Sequence, residues 1–412
     1  MNREALWKMF EYAYNQSALY RDKALCEEID ITKIIKERDW STVPLIEKTE
    51  LISNNHKLVS DEYMGYVVTG NVIKSHTSGS TGECLNVFWS KEDYLHSLMS
   101  LWLDRRRHGG VLPGDRLCNL SSSSADGALF RRKKNQMIVS KDMINEDTIN
   151  EVMSGIEEFD PVWMVLHPSF ASVLCRELKS SGSLNSKSFK SIKYIELTGE
   201  HASENLKQEL RKLFSCEVRS HYGSIEVSSI GYEYGDDYML YDNTTFLEVL
   251  DDEGRTVEDG VVGNLYVTSL HNHVMPIVRY GLGDRGYIYT REVDGRKCRL
   301  VHLEKYRKND YIVLKDGTRL IPDGLMKPVE AINHATENSV LQVVIEQDEE
   351  VIRVCAVLDD DFEEYEFEVN YMHFLPDVIK SNFSISFEYK SVMFPDERTG
   401  KNGWFKRIER KI

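Results

Sequence analysis

Cysteine is sparse in this chain of 412 residues. The seven stand far apart, at 26, 84, 118, 175, 216, 298 and 355, with no Cys-x-x-Cys pair. That spacing offers neither a disulfide framework nor a zinc ribbon, and reduced thiols in a cytoplasmic protein are the plain reading. Long apolar runs are missing too. No stretch approaches the roughly 18 uncharged apolar residues of a spanning helix, so no membrane is expected as partner. The opening MNREALWKMFEYAYNQ mixes charges into its apolar pattern, unlike a secretory signal. Basic charge is in deficit: 51 Lys and Arg against 67 Asp and Glu leave a formal charge of −16. Such a chain is a poor binder of nucleic acid or anionic lipid, though one local site can still hold a phosphate ligand. What remains is globular: 41% hydrophobic and 29% charged, enough to bury a large core without staples and to form two or three domains.

The chain changes texture twice. Leu6, Met9, Phe10 and Ala13 recur at helical intervals, predicting a helix over 3–14. VPLIEKTEL at 43–51 reads as a turn into another. A strand is expected over 66–76, then a Ser/Thr/Gly loop and a helix from about 91. Apolar runs at 162–167, 192–198 and 217–222 alternate with helical patterns such as 202–214. This predicts an α/β fold with a doubly wound sheet. From about 228 to 303, strand-like pieces joined by DDEGR, EDG and VDGR turns predict an antiparallel, barrel-like subdomain. Beyond 306, strands at 339–346, 350–358 and 383–393 with a helix near 363–379 predict a small α+β domain. The charged EKYRKND at 304–310 is the expected linker. Domains are therefore expected at 1–305 and 306–412.

Four segments carry chemistry. In Ser75–Gly82, glycines at 79 and 82 allow close backbone approach to an anion, and hydroxyls and N–H groups can surround phosphate oxygens. It lacks the Gly-Lys-Ser/Thr ending of a Walker loop. In Ser220-His-Tyr-Gly-Ser-Ile-Glu226, a carboxylate four residues past Tyr222 could hold a hard cation such as Mg²⁺. In Pro276–Asp284, a Gly-x-Gly-Asp turn offers a carboxylate to vicinal hydroxyls. Near the end, Glu397-Arg-Thr-Gly-Lys401 puts a lysine beside a glycine, where it can act as a point charge. Taken singly, each also fits a solvated turn.

In this order, with Thr-Gly-Glu at 198–200 between them, the segments resemble the adenylate-forming superfamily, and within it the phenylacetate–coenzyme A ligase branch and its capsule-cluster relatives. The resemblance runs from about Val43 to Ile408. It implies that Thr77, Ser78, Gly79, Ser80, Thr81 and Gly82 grip the ATP triphosphate. Gly199 and Glu200 would line the adenine pocket, Ser220 and His221 would border it, and Tyr222 and Gly223 would stack on adenine and wall the carboxylate pocket. Glu226 would bind Mg²⁺, Asp284 the ribose, and Arg307 would touch ribose beside a hinge at Asn309 and Asp310. Lys401 would bridge the substrate carboxylate and the α-phosphate. His167 and Ser124 are candidates for the acid pocket.

The chain also departs from the family. Glu83-Cys84 follows the loop where Pro is common, Ser220 stands for Asn or Asp, and Tyr306 and Asn309 replace a linker Gly and Asp. Some relatives hold zinc after the Tyr-Gly turn, but 231–248 contains no Cys or His, so no zinc is expected. His271, His273, Cys298 and His302 have no diagnostic metal spacing. The resemblance implies ATP- and Mg-dependent conversion of a carboxylic acid to an acyl-adenylate, then thioester formation with coenzyme A. The alternatives are transfer to an amine or to the phosphopantetheine of a carrier protein, and, in another class, a nucleotide-binding pseudoenzyme. The acid and the oligomeric state are not legible.

Overall fold

The computed structural model describes residues 3–77, 85–121, 127–180, 189–336, 339–396 and 402–408. Its chain forms two compact units, one from Met1–His108 with Ser220–Glu304 and the other from Gly109–Arg219 with Lys305–Ile412.

In the first unit the helix Arg3–Gln16 buries the expected Leu6, Met9, Phe10 and Ala13, and Trp7 with them. Helices Ala18–Cys26 and Ile31–Glu37 follow. Their apolar spacing is less regular, but Asp30 caps the second by accepting the Lys33 N–H at 3.0 Å. The strand expected over 66–76 is shorter than its β-branched residues suggest. Tyr66–Val68 belong to a helix, Met64–Val68, and only Ile73–His76 is strand. Between them the Thr69 hydroxyl donates to the Gly65 carbonyl at 2.9 Å, and Gly70 turns the chain at φ +73.

The antiparallel texture after 228 is real. In sheet order the strands are Thr245–Leu250, Gly263–Ser269, Tyr280–Val293, Arg296–Arg307, Asp237–Leu240, Ser228–Tyr234 and Glu217–Ser224. Gly263–Ser269 is buried at every position, which explains its lack of alternation. The long strand Arg296–Arg307 takes in the first half of the charged 304–310 stretch, with Tyr306 buried, and the two compact units divide within it, at Glu304 and Lys305. A turn comes only afterwards, where the Asp310 N–H donates to the Arg307 carbonyl at 3.0 Å.

The second unit contains the parallel strands Tyr194–Thr198, Trp163–Leu166, Leu117–Ser121 and Gln136–Ser140, in that order, with Phe130–Lys133 antiparallel at the edge. Helices Ile149–Phe159, Pro168–Ser180 and Glu204–Phe214 bury one face each into the same core. The α/β class is as expected. The later segment builds a four-stranded sheet in the order Ser384–Tyr389, Val351–Leu358, Val340–Asp348, Phe405–Arg407, around a core that includes Phe367, Tyr371, Ile345 and Val354. The helix expected near 363–379 is two, Glu364–Phe374 and Asp377–Asn382, because Pro376 interrupts it.

An ion pair ties the helix Lys91–Gly109 to the His271–Met275 turn. Asp93 accepts the His273 N–H and faces its Nδ1, both at 3.1 Å. The Asp93 hydrogen bond, against partial burial, raises the His273 pKa. Burial pushes Asp93 up, but the bonds from His273 outweigh it and leave the carboxyl lowered. A raised His contributes stability that is complete below its unfolded pKa and fades as pH rises through the folded one. A lowered Asp loses its share at acid pH. His273→Asn should therefore cost about 0.5–1 kcal/mol, discounted for exposure, near pH 6, and progressively less toward pH 9. Thermal melts across that range check this, and a cost independent of pH refutes it.

Candidate active site

Three of the four predicted segments fall within the first unit, the first of them only in part among the described residues. Ile73–His76 and Asn86–Trp89 form an antiparallel hairpin. Buried Thr77 closes its end: its N–H donates to the Leu85 carbonyl and its Oγ1 accepts the Leu85 N–H, each at 3.0 Å. Ser78, Gly79, Ser80, Thr81 and Gly82 lie outside the described residues. The loop was expected between a strand and a helix, whereas a second strand, pairing back on the first, precedes the helix at Lys91.

The Glu217–Ser224 strand meets Ser228–Tyr234 with a register shift between Tyr222 and Gly223. Such a bulge re-aims side chains. Gly223 has no alternative here, because a Cβ would stand 2.3 Å from the Ser228 carbonyl oxygen. The Ser220 N–H donates to Glu233 at 2.6 Å, and His221 Nε2 lies 2.9 Å from the Ser229 hydroxyl. Ser220 is thus on the expected strand with its backbone engaged by a carboxylate that sequence reasoning had not marked.

Two hydrogen bonds cross-link the second segment to the third. The Tyr222 hydroxyl donates to Asp284 Oδ2 at 2.9 Å, and the Tyr280 hydroxyl donates to Glu226 Oε1 at 2.8 Å. Residues four apart on one segment therefore pair, in reverse order, with residues four apart on the other. Burial first, then the neighbouring Glu226 charge, holds the Tyr280 hydroxyl far above its ordinary pKa, so it stays a donor. Glu226 is only 5% exposed. Tyr280 was not marked from the sequence. Its signal was proximity, four residues before Asp284, but spacing alone does not reveal a partner on another strand.

Arg279 was also missed. It is 1% exposed, adopts φ 47, and sends Nε and Nη2 to the two oxygens of Glu248 at 2.9 and 3.1 Å. Its Nη1 donates to the Val43 carbonyl at 2.6 Å. Tyr280 is bridged to Ile46, whose N–H and carbonyl bond Arg279 and Gly281. The arginine anchors the segment that presents Tyr280 and Asp284.

The second unit holds the remaining candidates. Gly199, at φ +84, turns the chain just beyond the strand Tyr194–Thr198. The Glu200 carboxylate accepts the Ser169 N–H at 2.7 Å, the Ser169 hydroxyl at 2.9 Å and the Asn402 N–H at 2.8 Å. His167 precedes the helix Pro168–Ser180, and its carbonyl accepts the Ala171 N–H at 2.9 Å. Arg307 and Asp310 form the turn after the long strand, with the Arg307 N–H on Asp310 Oδ2 at 2.8 Å, and Asn309 is exposed. Ser124 and Lys401 lie outside the described residues. Among the described residues no cluster of three or more His, Cys, Asp or Glu is placed to hold a metal. His271 and His302 bond the Asn243 carbonyl and Asp237, at 3.0 and 2.6 Å. Glu226 is among the buried carboxylates of the described residues, with Asp93, Glu196 and Glu248. Among the described residues no helix is long and apolar enough to cross a membrane.

Residues 72–276 match the family of AMP-binding enzymes, a span that takes in the hairpin loop, Thr-Gly-Glu and the Tyr222–Glu226 segment. Over that span, just under half of its length, the chain is similar to the adenylate-forming superfamily. A phenylacetate-coenzyme A ligase of Thermus thermophilus is 24% identical over 305 residues, which are 70% of this chain and 65% of that relative. The matched part thus spans a little under two thirds of the curated relative. Among solved structures, 2-hydroxyisobutyryl-CoA ligase in its postadenylation state superposes with a TM-score of 0.72 at 16% identity, covering 96% of this chain and 86% of that one. The same ligase in its thioesterification state gives 0.60 at 16% identity, covering 98% and 89%. At that identity the likeness is one of fold. The likeness in sequence is to a phenylacetate-coenzyme A ligase, and the Asp284 segment lies just past the matched family span.

Proposed function

We propose that this protein is an ATP-dependent, AMP-forming acid–coenzyme A ligase of the cytoplasm. The observation that carries the reading is the pair of crossed hydrogen bonds, Tyr222–Asp284 and Tyr280–Glu226, which fixes two carboxylates within one constellation. Asp284 would accept hydrogen bonds from the ribose hydroxyls of ATP. Glu226, an oxygen donor kept buried, suits Mg²⁺, which would offset charge on the phosphates. Residues Thr77–Gly82 would supply N–H and hydroxyl groups to the triphosphate. A carboxylate oxygen of the acid then attacks the α-phosphate, pyrophosphate leaves, and the coenzyme A thiolate displaces AMP from the mixed anhydride. The difficulty is anion meeting anion, so positioned positive charge dominates the rate.

The division of labour follows the sequence at 305/306, with Lys401 on the later part and Asn309–Asp310 as its hinge. Transfer to an amine or to a carrier-protein phosphopantetheine shares the first half-reaction. Pyrophosphate release across a panel of aryl, fatty and amino acids tests adenylation. Thioester appearing with free coenzyme A separates the acceptors, and no pyrophosphate with any acid would leave a nucleotide-binding pseudoenzyme.

Asp284→Ala should raise the KM for ATP while changing that for the acid little, because ribose bonds exist in ground and transition states alike. Loss of a charged hydrogen bond is worth about 1.5–3 kcal/mol, or about 10- to 150-fold. Tyr222→Phe, which keeps Asp284 and removes only the hydrogen bond from the Tyr222 hydroxyl, should give a smaller rise in the same constant. An unchanged ATP constant in folded Asp284→Ala removes this residue from the site.

A further inference from the structure

We infer that the helix Lys91–Gly109 carries a self-complementary face on which a second copy of this chain docks, as an antiparallel helix pair about a two-fold axis at Met99. The inference does not depend on the ligase reading. The helix has 19 residues and is seated by one of its faces. Asp93, Ser97, Leu101 and Arg105, each four residues from the next, are all buried. Leu101 packs with Tyr232 and Tyr241, and the Tyr241 hydroxyl donates to Asp104 at 2.6 Å. Asp93 accepts the His273 N–H at 3.1 Å.

The opposite face is apolar where it meets water. Leu95, Met99 and Leu103 are 56%, 51% and 63% exposed. At about 3.6 residues per turn, they form one row roughly half a turn away from the buried one. A single exposed leucine is ordinary on a protein surface. Three large apolar side chains in one row, four residues apart, form the ridge by which one helix packs on another.

The flanking charges select the occupant. Glu92 and Arg106 continue the same row at its two ends, are exposed, and have no ion-pair partner among the described residues. About Met99 the row is symmetric in position and opposite in charge: Leu95 and Leu103 stand four residues to either side, and Glu92 and Arg106 seven. Seven residues are about two turns, or roughly 10 Å along the axis. A second copy turned end for end about Met99 therefore sets each Leu95 against the other's Leu103 and forms both Glu92–Arg106 pairs at once. A closed two-fold dimer requires a face that matches itself in this way. The helix dipole accounts for an acidic first turn and a basic last turn. It does not account for both charges falling on the apolar row at equal distances from its centre. A parallel pair would set Glu92 on Glu92 and Arg106 on Arg106. Two single-helix faces bury little beside the roughly 1,200 Å² of a small stable interface, so a dissociation constant on the order of 1–100 μM is expected.

Sedimentation velocity of the full chain from about 1 to 200 μM should show a concentration-dependent shift from monomer toward dimer. Met99→Glu, which sets two like charges at the axis, should raise the dissociation constant about tenfold or more. Glu92→Arg and Arg106→Glu should each weaken dimerisation, since each turns two attractive pairs into two repulsive ones. Mixed in equal amounts, these two single variants should pair with each other, because each meets the opposite sign at both ends. The double variant Glu92→Arg/Arg106→Glu should regain wild-type dimerisation. All three positions are exposed, so the variants keep the fold, which circular dichroism checks. A wild-type chain that stays monomeric over the whole range overturns the proposal. A dimer indifferent to Met99→Glu overturns the choice of face. A mixture that stays monomeric, with a double variant no better than the singles, overturns the antiparallel register.

Discussion

Lys401→Ala is expected to slow acyl-adenylate formation by about 10²–10³-fold, the usual loss when one group aimed at developing charge is removed. In the proposed reaction, negative charge accumulates as the acid's carboxylate approaches the α-phosphate, and a cation bridging the two is worth most at that moment. Loss of a lysine engaged mainly in the transition state lowers kcat for adenylation and changes ATP binding little. ATP affinity in the variant, measured by equilibrium binding, should stay within a few-fold of wild type. Transfer to coenzyme A from presynthesised acyl-adenylate should persist, since that step has no attack on phosphorus. Wild-type adenylation in Lys401→Ala would end the assignment. Lys406, the next cation along the chain, would then be the replacement to test. It stands in the strand Phe405–Arg407, with its Nζ 3.9 Å from Asp396.

The fold class and most strands were legible because their periodicity is local. Tyr194–Thr198 and Glu204–Phe214 fall within two residues of their expected spans, since short apolar runs and amphipathic helices write their burial into adjacent residues. The failures have physical causes. The β-branched residues before Gly70 were read as strand, yet the helix Met64–Val68 formed there, which shows local propensity yielding to context. The charges at 304–307 disguised a strand, because side chains can project from a paired backbone without interrupting it.

The candidate site was legible as an ordered set of segments, whereas its wiring was not. Nothing in the chain announces that Tyr222 bonds Asp284, or that Tyr280 bonds Glu226, since each pair is more than fifty residues apart. Glu200 is the sharpest case. Its motif announces a carboxylate but not that its hydrogen bonds join Ser169 to Asn402, more than two hundred residues away.

Arg279→Met should destabilise the protein by about 3–5 kcal/mol, the cost of leaving one member of a buried ion pair without its partner. Glu248 is 6% exposed and takes two guanidinium hydrogen bonds, so the variant strands its charge away from water. The Val43 carbonyl loses its donor as well. Lysine cannot replace the fork, because a single ammonium does not reproduce the bidentate geometry. Arg279 also sits at φ 47, a conformation that side chains other than glycine adopt at a cost of about 1–2 kcal/mol. The arginine's bonds must hold that strain, and their loss frees the backbone on which Tyr280 and Asp284 follow. Adding Glu248→Gln to Arg279→Met removes the stranded charge while keeping an acceptor for Trp40 Nε1, which donates to Glu248 at 3.2 Å. The double variant should therefore regain part of the lost stability without regaining the ATP constant, because Asp284 is still presented from a relaxed strand. Urea denaturation of the single and double variants measures the first effect and ATP titration the second. A single variant that loses under about 1 kcal/mol would show that the pair is not the anchor of this segment. A double variant no more stable than the single would mean that the lost carbonyl bonds, and not the uncompensated charge, carry the cost.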